Sequence, residues 1–260
     1  MLKRAFLILA ACAMAPAAAQ SGRQALGQPQ LQAAVAAPGR PQAAIALDEV
    51  RRPAEVLAFL GLRRGDRVLD YFTGTGYYAD IMARAVGPEG LVVGWNGASF
   101  MRNERVRAAL DEVKGRNPNT HFYGTPTTAL AFPSESFDFV MLHLVYHDAY
   151  WESVQFNLPR IDPNSVVQAV WNATRPGGTV AVIDHVAAAG GDTRAVVEAT
   201  HRIDPAVIRA DFERAGFVLE AQSDLLRNPQ DNYATNVFDA AIRGRTDRVV
   251  YRFRKPGQRR

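Results

Sequence analysis

The chain has 260 residues, of which 48% are apolar and 22% charged, and this composition is that of a globular protein. Its length allows one domain with appendages or two small domains. A single cysteine excludes a disulfide framework. The formal net charge is only +4, and beyond one basic cluster within 252–260 there is no basic stripe with aromatic interleaving, so we predict no nucleic-acid partner.

Residues 1–19 have the pattern of a secretory signal. Lys3 and Arg4 precede an apolar run over 5–15, and small residues at 17–19 suit cleavage. The run is too short to span a bilayer well, and no later segment does better. We therefore expect a periplasmic or secreted protein with no transmembrane segment. An alternative is a lipid anchor at Cys12, because residues 9–12 resemble a lipoprotein cleavage box.

The next segment, residues 20–46, is rich in Ala, Gln, Pro and Gly and has no apolar periodicity. Such a composition is typical of a disordered linker. We therefore predict a signal at 1–19, a linker at 20–46 and one folded domain at 47–260.

Within that domain, short apolar strands alternate with amphipathic helices. The predicted strands are 67–71, 91–95, 120–123, 137–144, 179–183, 217–221 and 248–253. The predicted helices are 47–60, 76–86, 100–114 and 163–174, with a further one after Asp204; Ser99, Asp162 and Asp204 are the expected N-caps. Because Pro53 suits only a first turn, the first helix is expected to start near Arg51 or Arg52. This alternation predicts an α/β fold with a mostly parallel sheet and helices on both faces.

The segment Asp70-Tyr71-Phe72-Thr73-Gly74-Thr75-Gly76 joins the first strand to a helix. A strand, a glycine-bearing turn and a helix N-terminus form a cradle for a nucleotide-like cofactor. The spacing resembles the first motif of class I S-adenosylmethionine (SAM)-dependent methyltransferases, Asp-x-Gly-x-Gly-x-Gly. Phe72 stands where the first glycine of that motif is expected.

Two further segments strengthen the resemblance in the expected order. Residues 133–138 are similar to the family's Pro-x-x-x-Phe-Asp lead into strand four, and 175–179 to its Pro-Gly-Gly turn into strand five. The chain looks closer still to a little-characterised exported bacterial branch. The shared segments are Tyr77-Tyr78, Tyr146-His147-Asp148, 224–229 and 237–239. The resemblance implies a Rossmann-like methyltransferase fold, with a seven-stranded, mostly parallel sheet and an antiparallel last strand.

The resemblance also implies a cofactor, SAM. The residues expected to bind it are Asp70, Tyr71, Phe72, Thr73, Gly74, Gly76, Asn96 and Thr125. Asn96 replaces the acid that usually accepts the ribose hydroxyls, and Thr125 replaces an acid that often contacts adenine. An amide and a hydroxyl can still form these hydrogen bonds, but without the strength that a charge gives.

The predicted catalytic residues are His147, Asp148 and Tyr146, which follow strand four at the edge where open α/β sheets place their sites. A histidine oriented by a neighbour can act as a base near neutral pH; alternatively, His147 is a buried or helix-capping residue. The residues predicted to contact the substrate are Tyr77, Trp151, Asp184 and His185. His201 is expected to shape the substrate cover.

These patterns predict a SAM-dependent methyltransferase acting on a small or medium-sized acceptor. One alternative is a binding protein without catalysis on the same scaffold, which the substitutions at Phe72, Asn96 and Thr125 favour. Another is a nicotinamide-dependent oxidoreductase, although the acid expected about 20 residues after its glycine motif is missing. No metal site is expected, because no His-Glu-x-x-His occurs and His143 and His147 do not share a helix.

Overall fold

Seven strands form a single sheet in the computed structural model, which describes residues 24–257. The strands are β1 (Arg67–Tyr71), β2 (Leu91–Gly97), β3 (Thr120–Thr125), β4 (Phe137–His143), β5 (Thr174–His185), β6 (Val218–Ser223) and β7 (Arg248–Arg254). Their order in the sheet is β3-β2-β1-β4-β5-β7-β6. Strands β1 to β5 pair in parallel, whereas β7 lies antiparallel between β5 and β6. The predicted fold class is confirmed.

Ten α-helices and two short 3₁₀ helices accompany the sheet in the described residues. The α-helices are α1 (Gln28–Ala36), α2 (Gln42–Ile45), α3 (Asp48–Arg51), α4 (Pro53–Leu60), α5 (Tyr77–Val86), α6 (Ala98–Met101), α7 (Glu104–Arg116), α8 (Pro163–Ala173), α9 (Thr193–Thr200) and α10 (Pro205–Arg214). The 3₁₀ helices are Thr127–Ala129 and Tyr146–Tyr150. None of the helices in the described residues has the length and apolarity needed to cross a membrane.

The core lies on both faces of the sheet. One apolar cluster joins α1, α4 and α5 to one face, and a second joins α8 and α10 to the other. This arrangement explains why β4 reads as a nearly continuous apolar run, since a strand covered on both faces needs apolar side chains on both. It also brings the carboxyl ends of β1, β2, β4 and β5 to one edge, where the sequence placed the site.

The expectation of a disordered linker is wrong for its described part, residues 24–46. Helix α1 packs against α4 and α5, and its Leu31 is fully buried. The backbone N–H of Leu26 donates to the carbonyl of Leu62 at 2.8 Å, which fixes the start of this segment to the domain. The buried side chains of Leu26 and Leu31 therefore anchor a segment whose composition is typical of a disordered linker. The predicted signal, residues 1–19, lies outside the described residues.

Two of the predicted helical ranges are divided where the backbone turns. Within 47–60, the helix predicted to start near Arg51 or Arg52 is confirmed as α4, with Pro53 in its first turn. The residues before it form the separate helix α3, and Arg52 between the two has a left-handed φ of 46°. The helix expected over 100–114 divides into α6 and α7, and the N-cap of α7 is Asn103 rather than Ser99. The Asn103 side chain accepts a hydrogen bond from the backbone N–H of Arg105 at 2.9 Å. Helix α9 was not predicted.

Candidate active site

The turn between β1 and α5 has the backbone that its glycines suggest. Gly74 and Gly76 have φ angles of 60° and 85°, in the left-handed region that glycine adopts without strain. A Cβ on Gly76 would lie 3.1 Å from the side chain of Val113, so this glycine allows α7 to approach closely. A Cβ on Gly74 would meet nothing within 4 Å. Gly74 is thus the glycine whose open side can face a ligand.

Phe72 occupies the position of the motif's first glycine and adopts a glycine-like conformation. Its φ is 57°, which costs about 1–2 kcal/mol for a residue with a side chain. The ring packs edge-on against Phe100 and Trp95, with centroid distances of 4.7 and 5.8 Å. This aromatic contact holds the strained residue in place and puts a half-buried ring beside the end of β2.

Asp70 lies at the end of β1, beneath the glycine turn, and is almost fully buried. Its carboxylate accepts hydrogen bonds from the Thr73 hydroxyl, at 2.6 Å, and from the backbone N–H of Ala79. Burial raises the pKa of Asp70 to about 7, although these hydrogen bonds and the charge of Arg51 lower it. Asp70 therefore holds the turn and is poised to ionise when a cation approaches.

Asn96 and Thr125 use their polar atoms within the protein. The Asn96 side-chain oxygen accepts from the backbone N–H of Gly74 at 2.9 Å, and its nitrogen donates to the Gly74 carbonyl at 3.0 Å. The Thr125 hydroxyl accepts from the indole N–H of Trp95 at 2.9 Å. Asn96 is also fully buried. In this conformation Asn96 fastens the glycine turn, and the expected contact of its amide with a ribose requires a rearrangement.

A segment before β1 covers the start of α5. The Tyr77 hydroxyl donates to the Asp48 carboxylate at 2.7 Å, and Arg40 forms a bidentate pair with the same carboxylate. The guanidinium of Arg51 lies 4.2 Å from the centre of the Tyr77 ring. Tyr77 is thus held by Asp48 and Arg51 of helix α3, and Arg51 also supplies a positive charge near Asp70.

His147 lies at the centre of the polar cluster beyond β4. Its Nδ1 is 2.7 Å from Oδ1 of Asp184, and its backbone N–H donates to Oδ2 of the same carboxylate. Asp184 is fully buried and also accepts from the backbone N–H of His185. The second ring nitrogen of His147 lies 3.3 Å from Asp148. Asp184 therefore orients His147 and directs its Nε2 toward Asp148.

The two buried histidines at this edge have opposite pKa shifts. Burial lowers the pKa of His147, but the carboxylates of Asp184 and Asp148 outweigh it and raise the value to about 9. Burial lowers the pKa of His185 to about 3, because the partial compensation by Asp184 is smaller. His185 is therefore neutral, with its Nδ1 2.7 Å from the Thr246 hydroxyl. With this raised pKa, His147 without a ligand is protonated at neutral pH, whereas the predicted role as a base requires a neutral imidazole.

Comparison with known proteins identifies the family. The family described as "Methyltransferase domain" matches residues 62–244, which span both the glycine turn and the His147 cluster. The chain belongs to this methyltransferase domain family. Its family therefore assigns it as a methyltransferase, and its fold agrees with that assignment.

Individual relatives of this methyltransferase domain are distant. The chain is 29% identical to the 23S rRNA (uracil(1939)-C(5))-methyltransferase RlmD of Psychrobacter arcticus, over 59% of its own length and 27% of that protein. It is also 29% identical to a demethylmenaquinone methyltransferase of Listeria welshimeri, over 46% of its own length and 45% of that protein. The chain thus spans less than half the length of these curated relatives.

Among solved structures, a SAM-dependent methyltransferase from Aquifex aeolicus has a similar fold. The TM-score is 0.55 at 16% identity, with 88% of this chain and 98% of the other covered. At this identity the likeness concerns the fold alone, and the chemistry must be argued from the site.

Not every predicted residue of the methyltransferase domain reaches the sheet edge with a free polar group. The prediction for Tyr146 needs correction: it is fully buried, packs against Phe212 and donates its hydroxyl to Asp211 on α10 at 2.7 Å. Asp184 likewise supports His147 instead of meeting a substrate. Asp184 is inside because it belongs to β5 and pairs with Val249 of β7, and Tyr146 because it enters the core just after β4.

A small cavity lies between the end of β1 and the 3₁₀ helix Tyr146–Tyr150. Its lining residues are Tyr71, Phe72, Thr127, Val145, Asp148, Ala149, Trp151, Leu158, Pro159 and Ile161. Most of them are apolar, and Asp148 supplies the carboxylate. Of the predicted site residues, Asp148, Trp151, Tyr71 and Phe72 therefore line the same cavity at the sheet edge.

Arg51 is the residue that sequence reasoning missed as a member of this site, and His201, expected only to shape the substrate cover, lies beside Asp148. His201 ends α9 and packs against Trp151, with a centroid distance of 4.5 Å. Its Nδ1 lies 3.7 Å from Asp148. No spacing rule connects it to the segment at 146–148, because α9 was not recognised as a helix that ends at the sheet edge.

Proposed function

We propose that this protein transfers a methyl group from SAM to a small or medium-sized acceptor. The observation that carries the proposal is the shared position of two features at one sheet edge. The left-handed turn at Gly74 opens toward a ligand, and a lined cavity runs from Phe72 to Asp148. Donor and acceptor therefore have adjacent places, as an in-line displacement needs.

The residues present fit SAM at its amino-acid end. Asp70 would hold the cofactor's ammonium group through the turn that it organises, and the unobstructed side of Gly74 leaves room for the ligand beside the helix N-terminus. The fit at the ribose is poorer, since Asn96 is bonded to Gly74. When bound, SAM supplies an electrophilic methyl carbon on a sulfonium and leaves as the neutral thioether.

The surroundings of Trp151 favour an acceptor with an apolar part. The cavity beside Trp151 is largely apolar, and the nearby Phe156 and Phe238 are 47% and 58% exposed. Phe156 packs against Trp151, and Phe238 against His201. Exposed aromatic side chains around a cavity are typical of a binding surface. Asp148 would orient the polar group that receives the methyl.

A second candidate is a SAM- or nucleotide-binding protein that does not catalyse methyl transfer. The internal hydrogen bonds of Asn96 and Thr125 favour it, because they occupy groups that would otherwise contact a ribose and an adenine. One measurement distinguishes the two candidates. In the presence of an acceptor, a methyltransferase releases S-adenosylhomocysteine and a binding protein does not.

The test begins with calorimetry of the purified protein with SAM and with S-adenosylhomocysteine. We expect one site with a dissociation constant in the micromolar range. A screen of apolar phenols, thiols and quinols, with S-adenosylhomocysteine as the readout, then separates enzyme from binder. If the well-folded protein bound neither SAM nor S-adenosylhomocysteine, the result would contradict the cofactor assignment.

We also propose that the protein is exported. The support is the charged start, the apolar run and the small residues within 1–19. Cell fractionation of the full chain, with the sequence of the mature N-terminus, tests it. Recovery in the cytoplasm with an intact N-terminus would contradict export, and a lipid on Cys12 would establish the anchored form instead.

A further inference from the structure

Three potential metal ligands from two separate segments meet beyond the ends of β4 and β5. His147 and Asp148 belong to the 3₁₀ helix Tyr146–Tyr150, and His201 follows α9. Each offers one ligand atom, and the three atoms lie within 4.8 Å of one another. His147 and His201 are only 4% and 8% exposed, whereas the Asp148 side chain is 29% exposed, so two buried imidazoles meet a carboxylate that solvent can reach.

The spacing of these atoms suits a metal ion better than direct hydrogen bonds. Oδ1 of Asp148 is 3.3 Å from Nε2 of His147 and 3.7 Å from Nδ1 of His201. Both distances exceed the usual range for a hydrogen bond. Two ligands at tetrahedral angles, each about 2.1 Å from a zinc ion, are separated by about 3.4 Å. The observed distances lie on either side of that value.

His201 supplies the independent sign of a missing ligand. Its Nδ1 is buried and has no hydrogen-bond partner among residues 24–257. The residue is held at a φ of 51° at the end of α9, and its ring packs between Trp151 and Phe238. Buried polar atoms without partners are rare and costly. The backbone and the two aromatic rings hold the His201 imidazole in place, with its buried nitrogen near Asp148.

Asp184 completes the arrangement from behind. Its carboxylate lies 2.7 Å from Nδ1 of His147 and thereby leaves Nε2 as the ring nitrogen that can bind an ion, which displaces its proton. Histidines that bind metals commonly donate their other N–H to a carboxylate, which fixes the tautomer and the ring orientation. Asp184 is fully buried and is itself held by two backbone N–H groups, those of His147 and His185.

We propose that His147 Nε2, the Asp148 carboxylate and His201 Nδ1 bind one divalent transition-metal ion, with positions left open for an acceptor. Two imidazoles and one carboxylate are a ligand set for catalytic zinc and for non-haem iron. Asp148 also lines the cavity that reaches Phe72. On the basis of the proposed methyl transfer, the ion would orient an oxygen or sulfur atom of the acceptor toward that cavity.

The sequence-based expectation of no metal site rested on ligand spacing along one helix. The cluster escapes that rule because its third ligand arrives from α9, far along the chain. The metal proposal therefore rests on the fold and on the orphaned nitrogen of His201.

The experiment is metal titration of the full-length protein after chelation and buffer exchange. Zn²⁺ binding is followed by calorimetry, and Co²⁺ binding by its visible absorption. We expect one equivalent of Zn²⁺ at micromolar affinity or tighter, and a Co²⁺ spectrum typical of four or five ligands. Less than half an equivalent of Zn²⁺, or a six-coordinate Co²⁺ spectrum like that of the aqueous ion, would overturn the proposal.

The variants are chosen so that folding is preserved. His201→Asn removes the imidazole while placing at φ 51° a residue that tolerates this conformation. Asp184→Asn keeps a polar side chain behind His147. We expect each to weaken Zn²⁺ binding by about 10–100-fold. His121→Ala, at an exposed histidine on β3, is the matched control and should bind like the parent. Equal affinity in His201→Asn and the parent would contradict the assignment of the ligands.

Cofactor binding is measured on the same samples, so that the two proposals fail separately. Binding of Zn²⁺ without any binding of SAM would retain the metal site and reject the methyl-transfer function. Binding of SAM by a protein that does not bind Zn²⁺ would reject the metal site and retain the cofactor site. Circular dichroism of every variant confirms that a lost signal does not reflect unfolding.

Discussion

The two halves of the sheet edge treat their polar groups differently. Around the glycine turn, Asn96 is bonded to Gly74, Thr73 to Asp70, and the Thr125 hydroxyl to Trp95. Beyond β4 and β5, by contrast, the buried Nδ1 of His201 has no partner within residues 24–257. The polar side chains of the first half are bonded to one another or to the backbone, whereas the second half keeps a buried ring nitrogen without a partner beside Asp148.

This difference teaches that a motif and a site are separate properties. The glycine turn has the left-handed backbone that its glycines suggest, yet the side chains that would contact a ribose are engaged within the protein. The cluster at His147 follows no general motif, but its geometry leaves ligand atoms facing one another. Each half can be tested with variants that are matched in local structure.

The largest effect is expected at Gly74. Gly74→Val introduces a side chain on the open side of the turn and at a φ of 60°, so SAM binding should fall by at least about 100-fold. Gly177→Val is the matched control, because Gly177 has a φ of 77° and equally open surroundings at the start of β5. Calorimetry measures both. Equal losses in the two variants would show that strain, not a cofactor contact, causes the effect.

The next effect is the pH dependence of cofactor binding at Asp70. Because burial raises its pKa to about 7, Asp70 is neutral below that pH and ionised above it. A cationic ligand prefers the ionised form, so affinity for SAM should weaken by about tenfold as pH falls from 8 to 6. Asp70→Asn removes this titration and leaves only that of the ligand's own amino group. The idea fails if the parent and Asp70→Asn show the same pH profile.

Asn96 distinguishes stability from binding. Asn96→Ala removes two hydrogen bonds to Gly74 and should lower the free energy of unfolding by about 1–3 kcal/mol. Asn119→Ala is the control, since the Asn119 side chain also makes two bonds to backbone, with the carbonyls of Ala83 and Gly87. Urea unfolding should show similar losses in both, whereas SAM affinity should change only in Asn96→Ala. Unchanged SAM affinity in Asn96→Ala would mean that fastening the turn has no bearing on the cofactor.

The comparison also shows how far the sequence alone reaches. It predicted all seven strands and the turn at Gly74, because apolar periodicity and glycine spacing act through the local backbone. It did not predict that Asn96 binds Gly74 or that His201 meets Asp148. Both depend on packing between segments distant in the chain. Asp192 caps α9, but neither this cap nor periodicity shows that the helix ends beside Asp148.

The smallest effect separates core from site at Tyr146. Its hydroxyl donates to Asp211 and its ring packs on Phe212, so Tyr146→Phe should cost about 0.5–1.5 kcal/mol of stability and leave SAM and metal binding unchanged. Thermal unfolding and calorimetry on one preparation measure both quantities. A loss of SAM or Zn²⁺ binding at constant stability would place Tyr146 in the site after all. The boundary between the closed core and the ligand-ready edge would then lie one residue earlier than the structure puts it, between Val145 and Tyr146 instead of between Tyr146 and His147.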